Sequence, residues 1–280
     1  MQPYSLKIRG EVVTIDHPLI MGILNVTDDS FYSGSRAFSE EKVVERVRTL
    51  MDEGVDIIDI GACSTRPGSA SVSAEEELRR LEVGLRALRS VDDFVMVSVD
   101  TFRADIALRA VKNFGVDIIN DISGAADPAM AGVVAELGVP YVLTHTRSMP
   151  HDMQQHTDYG EDVVATILEE MSRRYEVLTQ AGVSDIIIDP GFGFAKTLEQ
   201  NYRLMERLED FAVFGCPVLV GISRKSMLTR LLGISTEDAL NATTALNAMA
   251  LDRGAAFLRV HDVAAAKQAE TIYNAVNGKF

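Results

Sequence analysis

Eight short apolar runs recur along the chain, and segments with helical periodicity lie between them. The runs, most of them rich in valine and isoleucine, are 19–24, 55–60, 94–99, 116–119, 139–143, 185–188, 218–222 and 256–260. Continuous apolar runs of this length are typical of parallel strands buried on both faces. Eight strand–helix alternations predict an α/β fold, a (β/α)₈ TIM barrel. A doubly wound open sheet is the second possibility.

The segments between the runs carry helix signals. Ser73 and Glu76 have the spacing of a capping box, and four leucines, Leu78, Leu81, Leu85 and Leu88, then form an apolar stripe. The other predicted helical segments are 42–51, 104–114, 128–137, 163–178, 201–211 and 239–251. Glycines stand where five of the helices are expected to end, at Gly54, Gly115, Gly138, Gly182 and Gly254.

The domain organisation is expected to be simple. No linker, low-complexity stretch or composition break divides the 280 residues, so we expect one domain spanning residues 1–280. Residues 4–15 precede the first run, and we expect them to form an N-terminal β-hairpin that closes the bottom of the barrel.

Composition excludes several classes of partner. The net charge is −14 and no basic run exceeds two residues, which argues against nucleic acid. No apolar run approaches the roughly 18 residues of a membrane helix, and the first ten residues lack a secretory signal. The two cysteines, Cys63 and Cys216, have no metal-ligand spacing. They favour a reduced, cytoplasmic location.

Polar residues follow every one of the eight apolar runs. In run order they are Asn25; Ser64 to Gly68; Asp100; Asn120 and Asp121; His145; Asp189; Ser223 to Lys225; and Arg259 with His261 and Asp262. Any single one is unremarkable, because boundaries between strands and loops are polar. A barrel gathers the carboxyl ends of all its strands on one face, where such enzymes have their active sites. Together, these residues therefore predict an active site.

The residue types indicate what that site binds. Four cationic or potentially cationic side chains, suited to an anion such as a diphosphate, are Arg66, Lys225, Arg259 and His261. Asp100, Asn120 and Asp189 offer the donors and acceptors that recognise a flat, amide-rich heterocycle. Asn25 is a neutral oxygen ligand for a Mg²⁺ held mainly by the diphosphate.

Structural roles compete with these functional ones. Asp189 precedes a proline and is also suited to starting a turn, and Lys225 is also suited to a solvated helix start. For His145 we prefer a structural role, as a buried histidine with satisfied hydrogen bonds.

Eight motifs resemble those of the dihydropteroate synthase family, in the family's order and over nearly the whole chain. They are MGILNVT (21–27), DSF (29–31), STRPG (64–68), SVDT (98–101), INDISG (119–124), DPGFGF (189–194), GISRKS (221–226) and RVHDV (259–263). The chain departs from the familiar pattern at Asp28, where proline is frequent. It also departs at Cys63, where glutamate is usual, and at Thr144, where methionine is usual.

The resemblance implies a role for each matched residue. The pterin site would comprise Asp100, Asn120, Asp189 and Lys225. The diphosphate site would comprise Asn25, Arg66, Arg259 and His261, with Mg²⁺ at Asn25. The p-aminobenzoate site would comprise Phe31, Thr65, Pro67, Phe194 and Ser223. The catalytic residues among these would be Asp100, Lys225, Arg259 and His261.

The resemblance also implies a reaction and its partners. A pterin diphosphate and p-aminobenzoate would give 7,8-dihydropteroate and diphosphate, by a dissociative substitution. Sulfonamides would be competitive inhibitors, and the enzyme would be a homodimer. A pterin-binding methyltransferase domain is the alternative activity, and a catalytically inactive scaffold is a third reading.

Overall fold

The computed structural model describes residues 2–26, 36–63, 72–148 and 156–279, with backbone only for residues 36–39. The strands are β1 (Tyr4–Ile8), β2 (Glu11–Ile15), β3 (Leu19–Asn25), β4 (Ile57–Gly61), β5 (Met96–Asp100), β6 (Ile118–Asp121), β7 (Tyr141–Thr144), β8 (Ile186–Asp189), β9 (Val218–Val220) and β10 (Ala255–Val260). Each of the last eight strands overlaps a predicted apolar run and extends at most two residues beyond it.

The helices alternate with the strands. They are α1 (Arg36–Asp52), α2 (Ala74–Val91), α3 (Ala104–Phe114), α4 (Met130–Leu137), α5 (Val163–Gln180), α6 (Leu198–Glu206), α7 (Ser226–Leu232), α8 (Leu240–Asp252) and α9 (Val263–Val276). Short 3₁₀ helices cover Leu208–Phe214 and Glu237–Ala239.

Strands β3 to β10 form a closed barrel in which every neighbouring pair is parallel. Closure occurs between β10 and β3, where Arg259 is in register with Met21. An open sheet has two unpaired edges, so this ring excludes the doubly wound alternative. The predicted (β/α)₈ barrel is confirmed.

The hairpin of β1 and β2 closes the bottom of the barrel, as predicted. Its strands are antiparallel, with Tyr4 paired to Ile15 and Ile8 to Glu11. Three of its side chains, Leu6, Ile8 and Ile15, are buried in one apolar cluster with residues of the barrel strands. The strand residues of this cluster are Leu19, Met21, Ile57, Ile118, Val142, Ile187, Leu219, Ala256 and Phe257. We call this cluster the lower core.

Several details of the helices differ from the sequence prediction. Ser73 caps α2 by accepting the Glu76 amide, but the Glu76 carboxylate binds Arg79 and Arg80, so the predicted capping box is incomplete. Segment 201–211 is divided between α6 and a 3₁₀ helix, and α7 and α9 were not predicted. Within the described part of the chain, no helix is long and apolar enough to span a membrane.

Candidate active site

The candidate site arises from the two-residue period of the barrel strands. Side chains two positions apart on a strand point to the same side. Five lower-core residues, Ile57, Ile118, Val142, Ile187 and Phe257, are each followed two positions later by a polar residue. Those polar residues are Asp59, Asn120, Thr144, Asp189 and Arg259. The upper half of the barrel interior is therefore polar, because the next inward-facing residue on each of these five strands is polar.

Arg259, on β10, is hydrogen-bonded to side chains of two other barrel strands, β4 and β5. Its Nε donates to Asp59 Oδ2 at 2.7 Å, and its Nη2 donates to Asp100 Oδ2 at 2.8 Å. Asn120 Nδ2 donates to the same Asp59 oxygen at 3.1 Å. Asp59 is fully buried, and its other carboxylate oxygen has no hydrogen-bond partner among the described residues. The cluster of Asp59, Asp100, Asn120 and Arg259 is thus tied together across strands β4, β5, β6 and β10.

Burial and charge act against each other in this cluster. Burial raises the pKa of Asp100, and the nearby Asp59 carboxylate adds to that rise, while Arg259 lowers it. Burial lowers the pKa of Arg259, but Asp59 and Asp100 more than offset this effect, so its pKa is raised overall. The guanidinium is therefore a fixed positive charge between two carboxylates.

A second group of residues lies at the ends of β8 and β9. Asp189 Oδ1 accepts the Gly191 amide at 2.8 Å, and Thr144 Oγ1 lies 3.5 Å from Asp189 Oδ2. Lys225 Nζ donates to the Phe192 carbonyl at 2.5 Å and lies 4.7 Å from the centre of the Phe194 ring. Burial lowers the pKa of Lys225 to about 8, although Asp189 and Asp100 oppose the shift. Lys225 is thus held by specific contacts and is not a solvated helix-start charge.

His261 forms a third group with Ser223. Ser223 Oγ accepts the His261 backbone amide at 3.1 Å and lies 3.0 Å from His261 Nδ1. Burial and, to a smaller extent, the nearby Arg259 lower the pKa of His261 to about 4. From the sequence, His261 is potentially cationic; its lowered pKa favours the neutral imidazole near pH 7 in the absence of a bound anion. If the Ser223 hydroxyl donates to Nδ1, the proton of the ring is on Nε2, which is then a donor.

The loops that carry these residues are fastened to each other. Arg224, with a left-handed φ of 56°, donates from Nε and Nη2 to the two oxygens of Asp262, both at 2.8 Å. Arg46 of α1 donates to the His261 carbonyl at 2.6 Å. These bonds hold the ends of β9 and β10 at a fixed separation, which places Ser223 beside His261.

The predicted site residues divide into those that the structure brings together and those outside the described ranges. Asp100, Asn120 and Arg259 share one hydrogen-bonded cluster; Asp189, Lys225 and Phe194 form a second, and Ser223 and His261 form a third. Asn25 ends β3 and is exposed. The remaining predicted residues, Phe31, Thr65, Arg66 and Pro67, lie outside the described residues, as does the departure Asp28.

Asp59 was not among the site residues predicted from the sequence. It stands inside an apolar run, between Ile58 and Ile60, and has the same parity as Ile57, which belongs to the lower core. An acid at an inward position of a buried strand is expensive unless it is paired. The position of Asp59, two residues after Ile57 and on the same side of the strand, was therefore the feature of the sequence that could have identified it.

Two neighbouring residues have structural roles. Asp121 follows the inward-facing Asn120 and so points out of the barrel, where it accepts from Tyr141 Oη at 2.6 Å and from Ser123 Oγ at 2.6 Å. His145 is completely buried, with both ring nitrogens in contact with charged side chains, Glu170 and Lys196. The preferred structural role for His145 is therefore consistent with its surroundings.

The chain matches a known family over most of its length. The model of the family described as "Pterin binding enzyme" matches residues 21–261. The dihydropteroate synthase of Escherichia coli strain K12 is 39% identical over 261 residues, which are 92% of this chain and 92% of that protein.

Solved structures agree with this match. The dihydropteroate synthase of Xanthomonas albilineans with 4-aminobenzoic acid has a TM-score of 0.89 and 37% identity, with 99% of each chain covered. The Yersinia pestis dihydropteroate synthase in a sulfonamide drug complex has a TM-score of 0.89 and 36% identity, with 98% of this chain and 100% of that chain covered. The chain therefore belongs to the pterin-binding enzyme family and, within it, to the dihydropteroate synthases.

Proposed function

We propose that the polar upper half of the barrel is the active site at which this chain joins a 6-hydroxymethyl-7,8-dihydropterin diphosphate to p-aminobenzoate. The products are 7,8-dihydropteroate and diphosphate, and the enzyme is a transferase of folate biosynthesis. One observation carries the assignment. Asp100, Asn120, Asp189 and Arg259 occupy inward positions at the same end of one closed barrel, and Lys225 reaches the same space.

The pterin would lie between the cluster around Arg259 and the group formed by Asp189, Lys225 and Phe194. Asn120 Nδ2 donates one hydrogen bond to Asp59, which leaves its amide oxygen as an acceptor for a ring N–H. Asp189 offers a carboxylate to the pterin's amino group and adjacent ring nitrogen, and Lys225 offers donors to the ring carbonyl or a ring nitrogen. A planar heterocycle with alternating donors and acceptors matches this arrangement.

The diphosphate would lie beside Arg259 and His261. Two of the Arg259 nitrogens bind Asp59 and Asp100, which leaves Nη1 as the nitrogen to donate to an anion. A neutral His261 with its proton on Nε2 donates one hydrogen bond, and an approaching anion would raise its pKa. Arg66, from the STRPG motif, is proposed as a further cation.

Asn25 fits an auxiliary role at a magnesium ion. Its side-chain oxygen and the Asp100 carboxylate both lie near Gly61, where a built Cβ would be 3.8 Å from Asn25 Oδ1 and 3.7 Å from Asp100 Oδ2. No group of three His, Cys, Asp or Glu side chains suited to a metal occurs among the described residues. Mg²⁺ that is held mainly by diphosphate and water needs few protein ligands. The ion would neutralise charge on the leaving diphosphate.

We propose that p-aminobenzoate lies at the outer edge of the pterin site. Phe194, whose ring is close to Lys225 Nζ, and Ser223, beside His261, are its described neighbours. Phe31, Thr65 and Pro67 complete the proposed set. In the same place, sulfonamides would compete with p-aminobenzoate.

The proposed mechanism is dissociative. The bond between the exocyclic CH₂ and the diphosphate oxygen breaks first, and the electron-rich pterin delocalises the resulting cation. The amine of p-aminobenzoate then forms the new C–N bond and loses a proton to solvent. Asp100 stabilises the cationic ring, and Arg259 and His261 stabilise the leaving anion. Neither cysteine is a suitable nucleophile, because burial raises the pKa of Cys63 to about 11 and also raises that of Cys216.

The test is turnover with the purified chain, measured as diphosphate release and as formation of dihydropteroate. With p-aminobenzoate present we expect both products in equal amounts, and dihydropteroate should form only when p-aminobenzoate is present. A pterin-binding methyltransferase would instead transfer a methyl group without releasing diphosphate. Methyl transfer, or no dihydropteroate when both substrates are present, would contradict the proposal.

We further propose that residues 1–280 form one domain, that the enzyme is a cytoplasmic homodimer, and that neither nucleic acid nor a membrane is its partner. Cys63 and Cys216 are free thiols, as expected in a reducing compartment. Sedimentation velocity would test the dimer, for which the expected mass is twice the 30.6 kDa of the chain.

A further inference from the structure

A buried lysine, Lys196, lies just beyond the proposed pterin site and has no role in the mechanism. It is 3% exposed, and burial lowers its pKa to about 7, while Asp189 raises it. Its Nζ donates to the Gly191 carbonyl at 2.8 Å and to the Phe194 carbonyl at 3.1 Å. The third neighbour of Nζ is His145 Nδ1, at 3.0 Å. Three acceptors thus match the three N–H bonds of an ammonium group.

The contacts continue beyond His145. Its Nε2 lies 2.9 Å from Glu170 Oε2, and Arg147 Nη2 donates to Glu170 Oε1 at 2.6 Å. Burial lowers the pKa of His145 to about 3, so the imidazole is neutral. If Nδ1 accepts from Lys196, the proton is on Nε2 and is donated to the Glu170 carboxylate. We call the chain of Lys196, His145 and Glu170 the lysine relay.

The lysine relay holds the turn that follows β8. Gly191 and Phe194 begin and end this turn, and the Phe194 amide donates to the Gly191 carbonyl at 3.1 Å. Gly191 has a left-handed φ of 73°, and a Cβ built on it would lie 1.9 Å from the His145 carbonyl oxygen. The turn is therefore packed against the backbone at the end of β7, and Lys196 binds both of its ends.

The same turn determines the geometry of two proposed pterin ligands. The Gly191 amide donates to the Asp189 carboxylate, and the Phe192 carbonyl accepts from Lys225 Nζ. A displacement of the turn would rotate Asp189 and release Lys225. Lys196 lies one residue beyond the Phe194–Ala195 corner, where Ala195 has a left-handed φ of 49°.

We propose that Lys196, acting through the turn 191–194 and supported by His145 and Glu170, is a positioning residue for Asp189 and Lys225. It contacts no substrate. This inference rests on the proposed pterin site. It adds the lysine relay as the structure that keeps two of the pterin ligands, Asp189 and Lys225, in place.

The first test replaces Lys196 with methionine, which keeps the length of the side chain and removes its three donors. We expect at least a tenfold weaker Kd for a pterin ligand by calorimetry, in protein whose circular dichroism is unchanged. Lys112→Met is the matched control, because Lys112 is paired with Glu136 on the surface; it should change the Kd less than twofold. A folded Lys196→Met with a Kd within twofold of wild type would overturn the proposal.

A second variant tests whether the relay acts as a unit. Glu170→Gln keeps an acceptor for His145 and removes the charge, so we expect a Kd about threefold weaker. The double variant should bind the pterin no more weakly than Lys196→Met alone, whereas multiplied losses would show independent roles. If Lys196→Met does not fold, Glu170→Gln decides the matter, since an unchanged Kd there would overturn the proposal.

A spectroscopic measurement reads the relay directly. Nitrogen chemical shifts of ¹⁵N-labelled histidine should show a neutral His145 with its proton on Nε2. A proton on Nδ1 would contradict the relay. Lys225→Ala in the same calorimetry separates the two proposals: if it weakens pterin binding and Lys196→Met does not, the pterin site stands and the relay fails. If Lys225→Ala has no effect, the proposed site itself is wrong.

Discussion

The two halves of the barrel interior are built from the same strands and have opposite character. In the lower core, Ile57, Ile118 and Phe257 are at most 1% exposed and pack on the hairpin. Two residues further along the same strands are Asp59, Asn120 and Arg259. Apolar burial stabilises the lower half, whereas removing charges from water costs several kcal/mol per ion even when they are paired.

This difference indicates how the fold supports its chemistry. Asp59 is a buried acid, and one of its oxygens has no hydrogen-bond partner among the described residues. It is a poor choice for stability but a suitable one for holding Arg259 in a fixed orientation. The lower core and its hairpin supply the stability that the upper half lacks. Variants of the two halves should therefore separate stability from activity.

The largest expected effect is on stability, in the lower core. Phe257→Ala should lower the free energy of unfolding by about 3–5 kcal/mol, because it leaves a cavity beneath the hairpin. Phe94→Ala is the control, since Phe94 is 83% exposed and its loss should cost less than about 0.5 kcal/mol. Urea denaturation measures both. Equal losses in the two variants would show that the lower core does not carry the stability.

The next effect is on turnover, in the upper half. Lys225→Ala removes a charge-assisted contact to the pterin, which is worth about 1.5–3 kcal/mol, or roughly 10- to 150-fold in kcat/KM. Its free energy of unfolding should change much less than that of Phe257→Ala. Steady-state kinetics and urea denaturation on the same preparation test both statements, and wild-type turnover would refute the role of Lys225.

The sequence was sufficient to predict the barrel and most of the polar cluster, because both follow from simple periodicities. Eight apolar runs predict eight strands, and the polar residues that follow the runs predict a polar face at the carboxyl ends of those strands. Side-chain partners do not follow from such patterns. Asp59 was missed because it lies inside a run, and the relay of Lys196 and Glu170 joins residues that are 26 positions apart in sequence.

The charge state of a buried group was also beyond the reach of the sequence. His261 was grouped with potential cations, yet burial beside Arg259 keeps it neutral. Burial is the largest cause of this shift, and burial depends on how the surrounding elements pack, which no local motif specifies.

The third prediction compares an aspartate that faces into the barrel with one that faces out of it. Asp189→Asn should weaken pterin binding by about 1–3 kcal/mol, because an amide presents a donor where the carboxylate accepts two N–H bonds. Asp121→Asn, which faces Tyr141 and Ser123 outside the barrel, should affect stability and leave pterin affinity within about twofold. Calorimetry with a pterin distinguishes them, and equal losses of affinity would contradict the assignment of Asp189 to the pterin site and of Asp121 to the outside of the barrel.

The smallest effect, taken per pH unit, is on the pH dependence of stability. The folded-state pKa values of His145 and His261, about 3 and about 4, lie below the ordinary value of 6.5. The unfolded chain therefore binds protons below pH 6.5 that the folded chain does not, so this stability is present above pH 6.5 and is lost as the pH falls towards 3. Each histidine contributes at most about 1.4 kcal/mol per pH unit. Urea denaturation of His145→Gln should show a shallower slope than wild type, and an unchanged slope in His145→Gln would contradict the neutral state.

The central claim is that the polar upper half of the barrel binds the pterin and the diphosphate side by side. The most direct measurement is a crystal structure with a pterin and Mg²⁺-diphosphate both bound. We expect the pterin ring within hydrogen-bonding distance of Asp100, Asn120, Asp189 and Lys225, and the diphosphate in contact with Arg259 and His261. A pterin bound elsewhere, or a diphosphate distant from Arg259, would contradict the account.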